Sequence, residues 1–289
     1  MKGLCNYILF SLSALLACGQ QAQTNNEQGL FAGHYDVNKP AKVFKMPKEL
    51  DEISGITFHS KASNIIYAEQ DEEGKAFACN LNDGSIRKTK FAGKGDYEDI
   101  QLLNNYIVML RSDGVLYTFP FNDINAEASA NTKEFKHILP GGEYEGLYAD
   151  NKTSKLYVLC KNCAEKQDKT TTVYTLSMDN NGTVQSESNT TINVKSIAEK
   201  AGLKKLSFRP SAFTKTQDGN EWFILSSVNK LIVRTSADFT VKEVYNLDAS
   251  VYNQPEGIAL DAANNLYISN EKGTSQSATI VKIPYRKQG

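Results

Sequence analysis

The chain has 289 residues, with 32 Lys+Arg against 33 Asp+Glu and a formal charge of −1 at pH 7. That balance excludes a general nucleic-acid binder, which carries a basic excess or a clustered basic stripe. Hydrophobic residues at 40% and charged residues at 22% support a sizeable core, with no charge block long enough for a disordered tail.

Residues 1–18 read MKGLCNYILFSLSALLAC, with Lys2 ahead of an apolar run that ends at Ala17. The run is shorter than the ~20 apolar residues of a membrane span and fits the h-region of a secretory signal. Leu15-Leu16-Ala17-Cys18 resembles the bacterial lipobox, in which the cysteine is lipidated and becomes the mature N-terminus. An ordinary signal peptide that happens to contain a cysteine is the alternative. The polar stretch GQQAQTNNEQG follows and has no apolar periodicity. The expected organisation is a signal peptide over 1–17, lipidated Cys18 with a flexible tether over 18–40, and one folded domain over 41–289. No acidic cluster follows Cys18, which favours a periplasm-facing position in the bacterial envelope over surface display. No later stretch approaches 18 consecutive apolar residues.

Cys5 leaves with the signal, so Cys79, Cys160 and Cys163 remain in the domain. Cys160-Lys161-Asn162-Cys163 follows the strand-like Leu156-Tyr157-Val158-Leu159, not a helix start, which argues against a redox motif. Zinc would need a second ligand pair, and none exists. A local disulfide and two free thiols both fit.

From residue 43 onward, short runs rich in Val, Ile, Tyr, Phe and Leu alternate with Asn, Asp, Gly and Lys clusters. One element recurs ahead of these runs: Ile53-Ser54-Gly55-Ile56, Tyr97-Glu98-Asp99-Ile100, Tyr144-Glu145-Gly146-Leu147, Pro210-Ser211-Ala212-Phe213 and Pro255-Glu256-Gly257-Ile258. Counted from the Ser/Glu position, the spacings are 44, 47, 66 and 45. Near-equal periods in the mid-forties are those of propeller blades with four strands each. The fold expected is all-β, a single β-propeller. Five blades follow from five copies; six fit only if the 145–211 interval hides a blade without the motif. That interval also holds VKSIAEKAGLKKL, whose apolar positions suit a short amphipathic helix over 194–206. In the first repeat the strands fall at 55–58, 64–68, 76–80 and 86–91. The last repeat is one strand short, and 41–46 can supply it, closing the ring with strands from both termini. Repeated strands could also form a sandwich, but a sandwich gives no reason for the element to recur.

These elements, with Pro255-Glu256-Gly257-Ile258-Ala259-Leu260-Asp261 and Leu266-Tyr267-Ile268-Ser269-Asn270-Glu271, resemble the SdiA-regulated family of bacterial envelope β-propellers over most of 43–286. The last stretch is also similar to propellers of the NHL and gluconolactonase type. The resemblance implies a propeller and a central metal, and no established reaction. The fourth copy departs from the family pattern, with Pro210-Ser211-Ala212 where members tend to carry Ser-Gly.

In a propeller the innermost strands line the central channel. The recurring element opens each of those strands, so Glu98, Glu145 and Glu256 should converge at one mouth, with Ser54 and Ser211 completing the ring. Carboxylates crowded together repel, and a hard cation such as Ca2+ relieves this. The ends of the second strands should reach the same face: Glu69 to Asp71, Arg111, Lys161, Ser227, Asn270 and Glu271. The expected metal ligands are Glu98, Glu145 and Glu256; the expected ligand-binding residues are Ser54, Arg111, Lys161, Ser211, Asn270 and Glu271. Arg111 and Lys161 could instead neutralise the glutamates by ion pairing. A metal-free ligand site is the third option.

His34, His59 and His137 are scattered and form no HExxH, and no GxSxG elbow appears. The functional expectation is a monomeric, membrane-anchored binding or scaffold module with a small-molecule or envelope-protein partner. The alternative is a metal-dependent hydrolase or lactonase using the same central site.

Overall fold

The computed structural model describes residues 29–59, 64–163 and 169–287. The signal, Cys18 and the first part of the tether lie outside them. The chain opens with β1 (Lys42–Lys45). The first blade is β2 (Ile53–Phe58), β3 (Ile65–Gln70), β4 (Glu73–Asn80) and β5 (Ile86–Lys94). The second is β6 (Tyr97–Leu103), β7 (Tyr106–Arg111), β8 (Leu116–Pro120) and β9 (Lys133–Phe135). The third is β10 (Gly142–Asp150), β11 (Lys155–Cys163), β12 (Thr170–Met178) and β13 (Val184–Asn193), followed by the helix α1 (Val194–Lys200). The fourth is β14 (Ala212–Lys215), β15 (Glu221–Ser226), β16 (Leu231–Ser236) and β17 (Val241–Asn246). The fifth holds β18 (Pro255–Leu260), β19 (Leu266–Asn270) and β20 (Thr279–Ile283).

These strands make five antiparallel four-stranded sheets, a five-bladed β-propeller. The fifth sheet runs β1-β20-β19-β18, so the N-terminal strand is its outer edge, with Lys42 opposite Lys282 and Lys45 opposite Thr279. Joining the two ends of the chain in one sheet closes the ring without a free edge between blades. The 145–211 interval contains the rest of the third blade, α1 and a connector, not a sixth blade. α1 is capped by Asn193, whose Oδ1 accepts the Ser196 N–H at 3.1 Å. It ends at Lys200, short of 206, because Gly202 takes a left-handed φ of +71° and turns the chain.

Five apolar clusters fill the spaces between adjacent blades. Ile56, Ile66, Phe77, Ala259 and Tyr267 join the first and fifth blades; Leu110, Tyr144, Leu147 and Val158 join the second and third. Inner strands are therefore covered on both faces. β6 is buried at every position but Glu98, whereas β13, on the outside, leaves most of its residues in water. This explains the continuous apolar runs in the sequence where alternation would mark a half-exposed strand.

One expectation needs correction. The tether was expected to run from 18 to 40, but Phe31, Tyr35 and Val37 are fully or almost fully buried among Phe223, Tyr252 and Ile258. A tight turn, with the Phe31 and Tyr35 backbones bonded to each other, brings both rings to one side. The folded unit therefore begins before the first strand.

Candidate cation site at the channel mouth

The recurring element is a β-bulge. Pairing of the inner strand with the second strand shifts between Ile53 and Ile56, Tyr97 and Asp99, Tyr144 and Gly146, and Pro255 and Gly257. Ser54, Glu98, Glu145 and Glu256 are thus the extra residues of four bulges, released from the ladder and re-aimed. In the fourth blade, Ser211 sits just ahead of β14, and its N–H donates to the Leu225 carbonyl at 2.8 Å. The small residue after four of the five Ser/Glu positions, all but Glu98, answers a close approach of neighbouring inner strands. A Cβ on Gly257 would lie 2.3 Å from the Ser54 carbonyl oxygen, and one on Gly146 2.9 Å from the Phe213 ring.

Glu98, Glu145 and Glu256 come together around one ammonium. Lys161 Nζ forms a hydrogen-bonded ion pair with Glu145 Oε1 and lies 4.0 Å from Glu143 Oε1. Burial acts to lower the Lys161 pKa, but Glu145, Glu98 and Glu256 outweigh it and hold the group above its ordinary value. Burial, then repulsion from Glu145, pushes Glu98 far up. Glu98 hydrogen-bonds Glu145, whose own rise through burial is restrained by Lys161 and by that bond. Glu256 is raised by burial and held by the Ser227 hydroxyl. The bond joining Cys160 to Cys163 is a disulfide and brackets Lys161 on both sides.

A second carboxylate group stands near the first, close enough for Glu256 and Glu145 to act on Glu271. Oxygens of Glu52, Asp71 and Glu271 lie within 4.8 Å of one another. They come from the residue before β2, the residue after β3 and the residue after β19. Among the described residues none of the three is in an ion pair; the adjacent Lys272 is bonded to Asp51 Oδ2 at 2.9 Å. Burial first, then neighbouring acids, raises Asp71 to about 6 and Glu271 to about 8. Beneath them Glu69 is fully buried. Its Oε1 accepts the Gly55 N–H at 2.6 Å, while its Oε2 and Asp71 Oδ1 are buried with no hydrogen-bond partner. Burial raises Glu69 well above the carboxylate range, with Asp99, Asp71 and Glu271 adding to the rise. Sequence reasoning reached Asp71 and Glu271 as second-strand ends but missed Glu52. The available signal was its position directly ahead of the first copy of the element.

The other expected residues divide. Ser54 Oγ donates to the Glu98 carbonyl at 2.9 Å and Ser211 Oγ to the Pro255 carbonyl at 3.0 Å. Both are ties between consecutive blades. The Arg111 guanidinium is held by both oxygens of Asp113, at 2.8 Å each, and by the Tyr117 hydroxyl. Its expected role in neutralising the glutamates is therefore filled by Lys161. Asn270 is buried and donates weakly to Thr279 Oγ1 at 3.4 Å, and its Oδ1 has no partner.

Residues 30–273 match the family model described as SdiA-regulated, and the chain belongs to that family. No curated protein matches it. Among solved structures it is similar to the glutaminyl cyclase of Myxococcus xanthus, at 11% identity and a TM-score of 0.57, covering 87% of this chain and 97% of that one. It is similar to a luciferin-regenerating enzyme at 10% identity and a TM-score of 0.53, covering 87% and 98%. A calcium-binding protein, regucalcin, from Agrobacterium tumefaciens is similar at 12% identity and a TM-score of 0.51, covering 90% and 97%. At these identities the likeness is one of fold.

Proposed function

We propose that this member of the SdiA-regulated family is a lipid-anchored envelope protein whose propeller binds a divalent cation at the acidic mouth of its channel. Glu52, Asp71 and Glu271 are the proposed ligands. The observation that carries the reading is that these three carboxylates converge without a cationic partner among the described residues, above the buried, unpartnered Glu69 Oε2. A buried acceptor left without a donor costs about 1–3 kcal/mol, and a cation or its bound water removes that cost. The donors are all oxygen, which suits Ca2+ or Mg2+ over zinc or copper. A calcium-binding protein among the fold neighbours is in keeping with this choice. The three glutamates expected to hold the metal, Glu98, Glu145 and Glu256, already share Lys161. We assign them the supporting role of an internally neutralised wall.

When bound, the cation would neutralise the mouth and act as a Lewis acid toward a ligand oxygen. The chain's own residues exclude water at Glu69 and fix the ligand carboxylates at strand ends.

The test is metal content and thermal melting of the purified full-length chain, with and without EDTA, for the parent, Asp71→Asn, Glu271→Gln and Glu145→Gln. A near-stoichiometric divalent ion that EDTA removes, lost in the first two variants and retained in Glu145→Gln, is the expected result. A parent without bound metal and without a calcium response would sink the reading. An ester and lactone screen of the loaded protein then separates binding module from hydrolase.

A further inference from the structure

The channel has a second end, opposite the carboxylates, where the inner strands finish. There a cavity of about 230 Å³ is lined by residues of all five inner strands, from Thr57 on the first to Ala259 on the fifth. It exceeds the ~30 Å³ share of a water several-fold, and it falls just under the ~300 Å³ lower bound of drug-sized pockets. A small metabolite fits it.

Its chemistry is unlike that of the acidic mouth. Lys215, the last residue of β14, lines the cavity with its side chain only 15% exposed. Its stem lies against aromatic rings, with Nζ 5.2 Å from the Trp222 centroid and 5.9 Å from that of Tyr157. Its single charged neighbour among the described residues is Asp150 Oδ2 at 3.7 Å, outside hydrogen-bond range. An ammonium has three donor hydrogens, and here none has an acceptor among the described residues. Thr214 and Tyr148 line the same cavity, and their hydroxyls likewise make no hydrogen bond among those residues. Lys152 adds a second positive charge at the rim, with Nζ on the Gln217 carbonyl at 3.3 Å. By contrast, Thr57 and Gln101 are bonded to each other at 3.2 Å and are satisfied.

We infer that this cavity is a binding site for a small hydroxy-carboxylate, such as a sugar acid. The carboxylate accepts from Lys215 Nζ and from the Thr214 and Tyr148 hydroxyls. A ligand hydroxyl donates to Asp150 Oδ2, the acceptor beside the ammonium. A partly buried, desolvated ammonium gains more from such a charge-assisted bond than an exposed one does. A neutral sugar would leave the ammonium with Asp150, outside hydrogen-bond range, as its counter-charge. The site is independent of the cation reading, since it shares no residue with the acidic mouth.

The test titrates the full-length chain with D-glucuronate, L-lactate and D-glucose, read by calorimetry and by the shift in melting temperature. Saturable binding of at least one acid, with glucose at least ~10-fold weaker, is expected. Lys215→Met keeps the stem over Trp222 and should weaken the acid at least ~10-fold, whereas Lys195→Met, on the exposed side of α1, should bind it like the parent. Thr214→Val gives the same reading, with a smaller loss, should Lys215→Met fail to fold. No saturable binding of either acid at millimolar concentration overturns the inference. Equal binding by parent and Lys215 or Thr214 variants overturns it as well.

Discussion

Gly55 and Asp99, on the inner strands of neighbouring blades, approach so closely that a Cβ at position 55 would lie 2.2 Å from Asp99 Oδ1 and 2.5 Å from its Cα. Asp99 in turn spans two blades, accepting the Ile100 N–H with Oδ1 and the Leu147 N–H with Oδ2, both at 2.7 Å. The recurring small residue is thus a packing requirement of the ring, and the Ser or Glu beside it is free to serve the mouth.

Gly55→Ala should therefore destabilise the fold by about 3 kcal/mol, the upper range for overpacking, because backbone and not a flexible side-chain end blocks the new methyl. Gly84→Ala, where a Cβ meets nothing within 4 Å, controls for the loss of glycine as such, with its φ of +73° adding only local strain. Urea denaturation of both variants measures this; equal midpoints would remove the packing account.

The metal-free protein should melt higher in mild acid than at pH 8. Burial first, and neighbouring acids second, raise Asp71 from 3.8 to about 6 and Glu271 from 4.5 to about 8. A carboxyl that holds its proton more tightly when folded adds stability that is full below its unfolded value and is lost as pH rises through its folded value. Stability should thus decline across about pH 4 to 8 in EDTA. Saturating calcium should flatten that decline and, at about 100 times Kd, add ~2.7 kcal/mol. Melting curves across this pH range, with EDTA or calcium, test both halves.

Removing the ammonium by Lys161→Met leaves Glu145, 5% exposed at its side chain, beside Glu98 and Glu256 without a counter-charge. Breaking a buried pair from one side costs about 3–5 kcal/mol. Lys161 is one-quarter exposed, so a loss of about 2–3 kcal/mol at neutral pH is expected. The loss should shrink toward pH 5 as the carboxyls take up protons. A pH-independent loss would mean that packing, not charge, is what Lys161 supplies.

Cys18→Ala should move the protein from the membrane fraction to the soluble fraction of the envelope. Cys18 lies outside the described residues, so this rests on the lipobox-like Leu15-Leu16-Ala17-Cys18 alone. Unchanged fractionation would dismiss the lipid anchor.

Part of the site was legible because repetition carries geometry. Glu98, Glu145 and Glu256 share one place in one repeat, so a ring of blades must bring them to one mouth. Lys161 was legible as the end of a second strand. Glu52 was not, since a lone acid before a strand has no periodic signal. Lys215 was equally hidden: its meaning comes from Trp222 on the next strand of its own blade and from Tyr157 and Asp150 on two strands of the neighbouring blade.

The chain by itself determined a ring of four-stranded blades and its closure by both termini; the structure decided that the 145–211 interval holds no sixth blade. Hydrophobic runs, turn residues and a mid-forties period are local properties, and four blades are built from residues close in sequence, the fifth taking only its edge strand from the other end of the chain. Only the tertiary structure decided which charges find partners. It set Lys161 among three glutamates, turned Arg111 to Asp113, and left Glu52, Asp71 and Glu271 uncompensated. Those outcomes depend on distances of a few ångströms between side chains from different blades. Coulomb energy and desolvation change steeply over that range, and sequence spacing does not encode it.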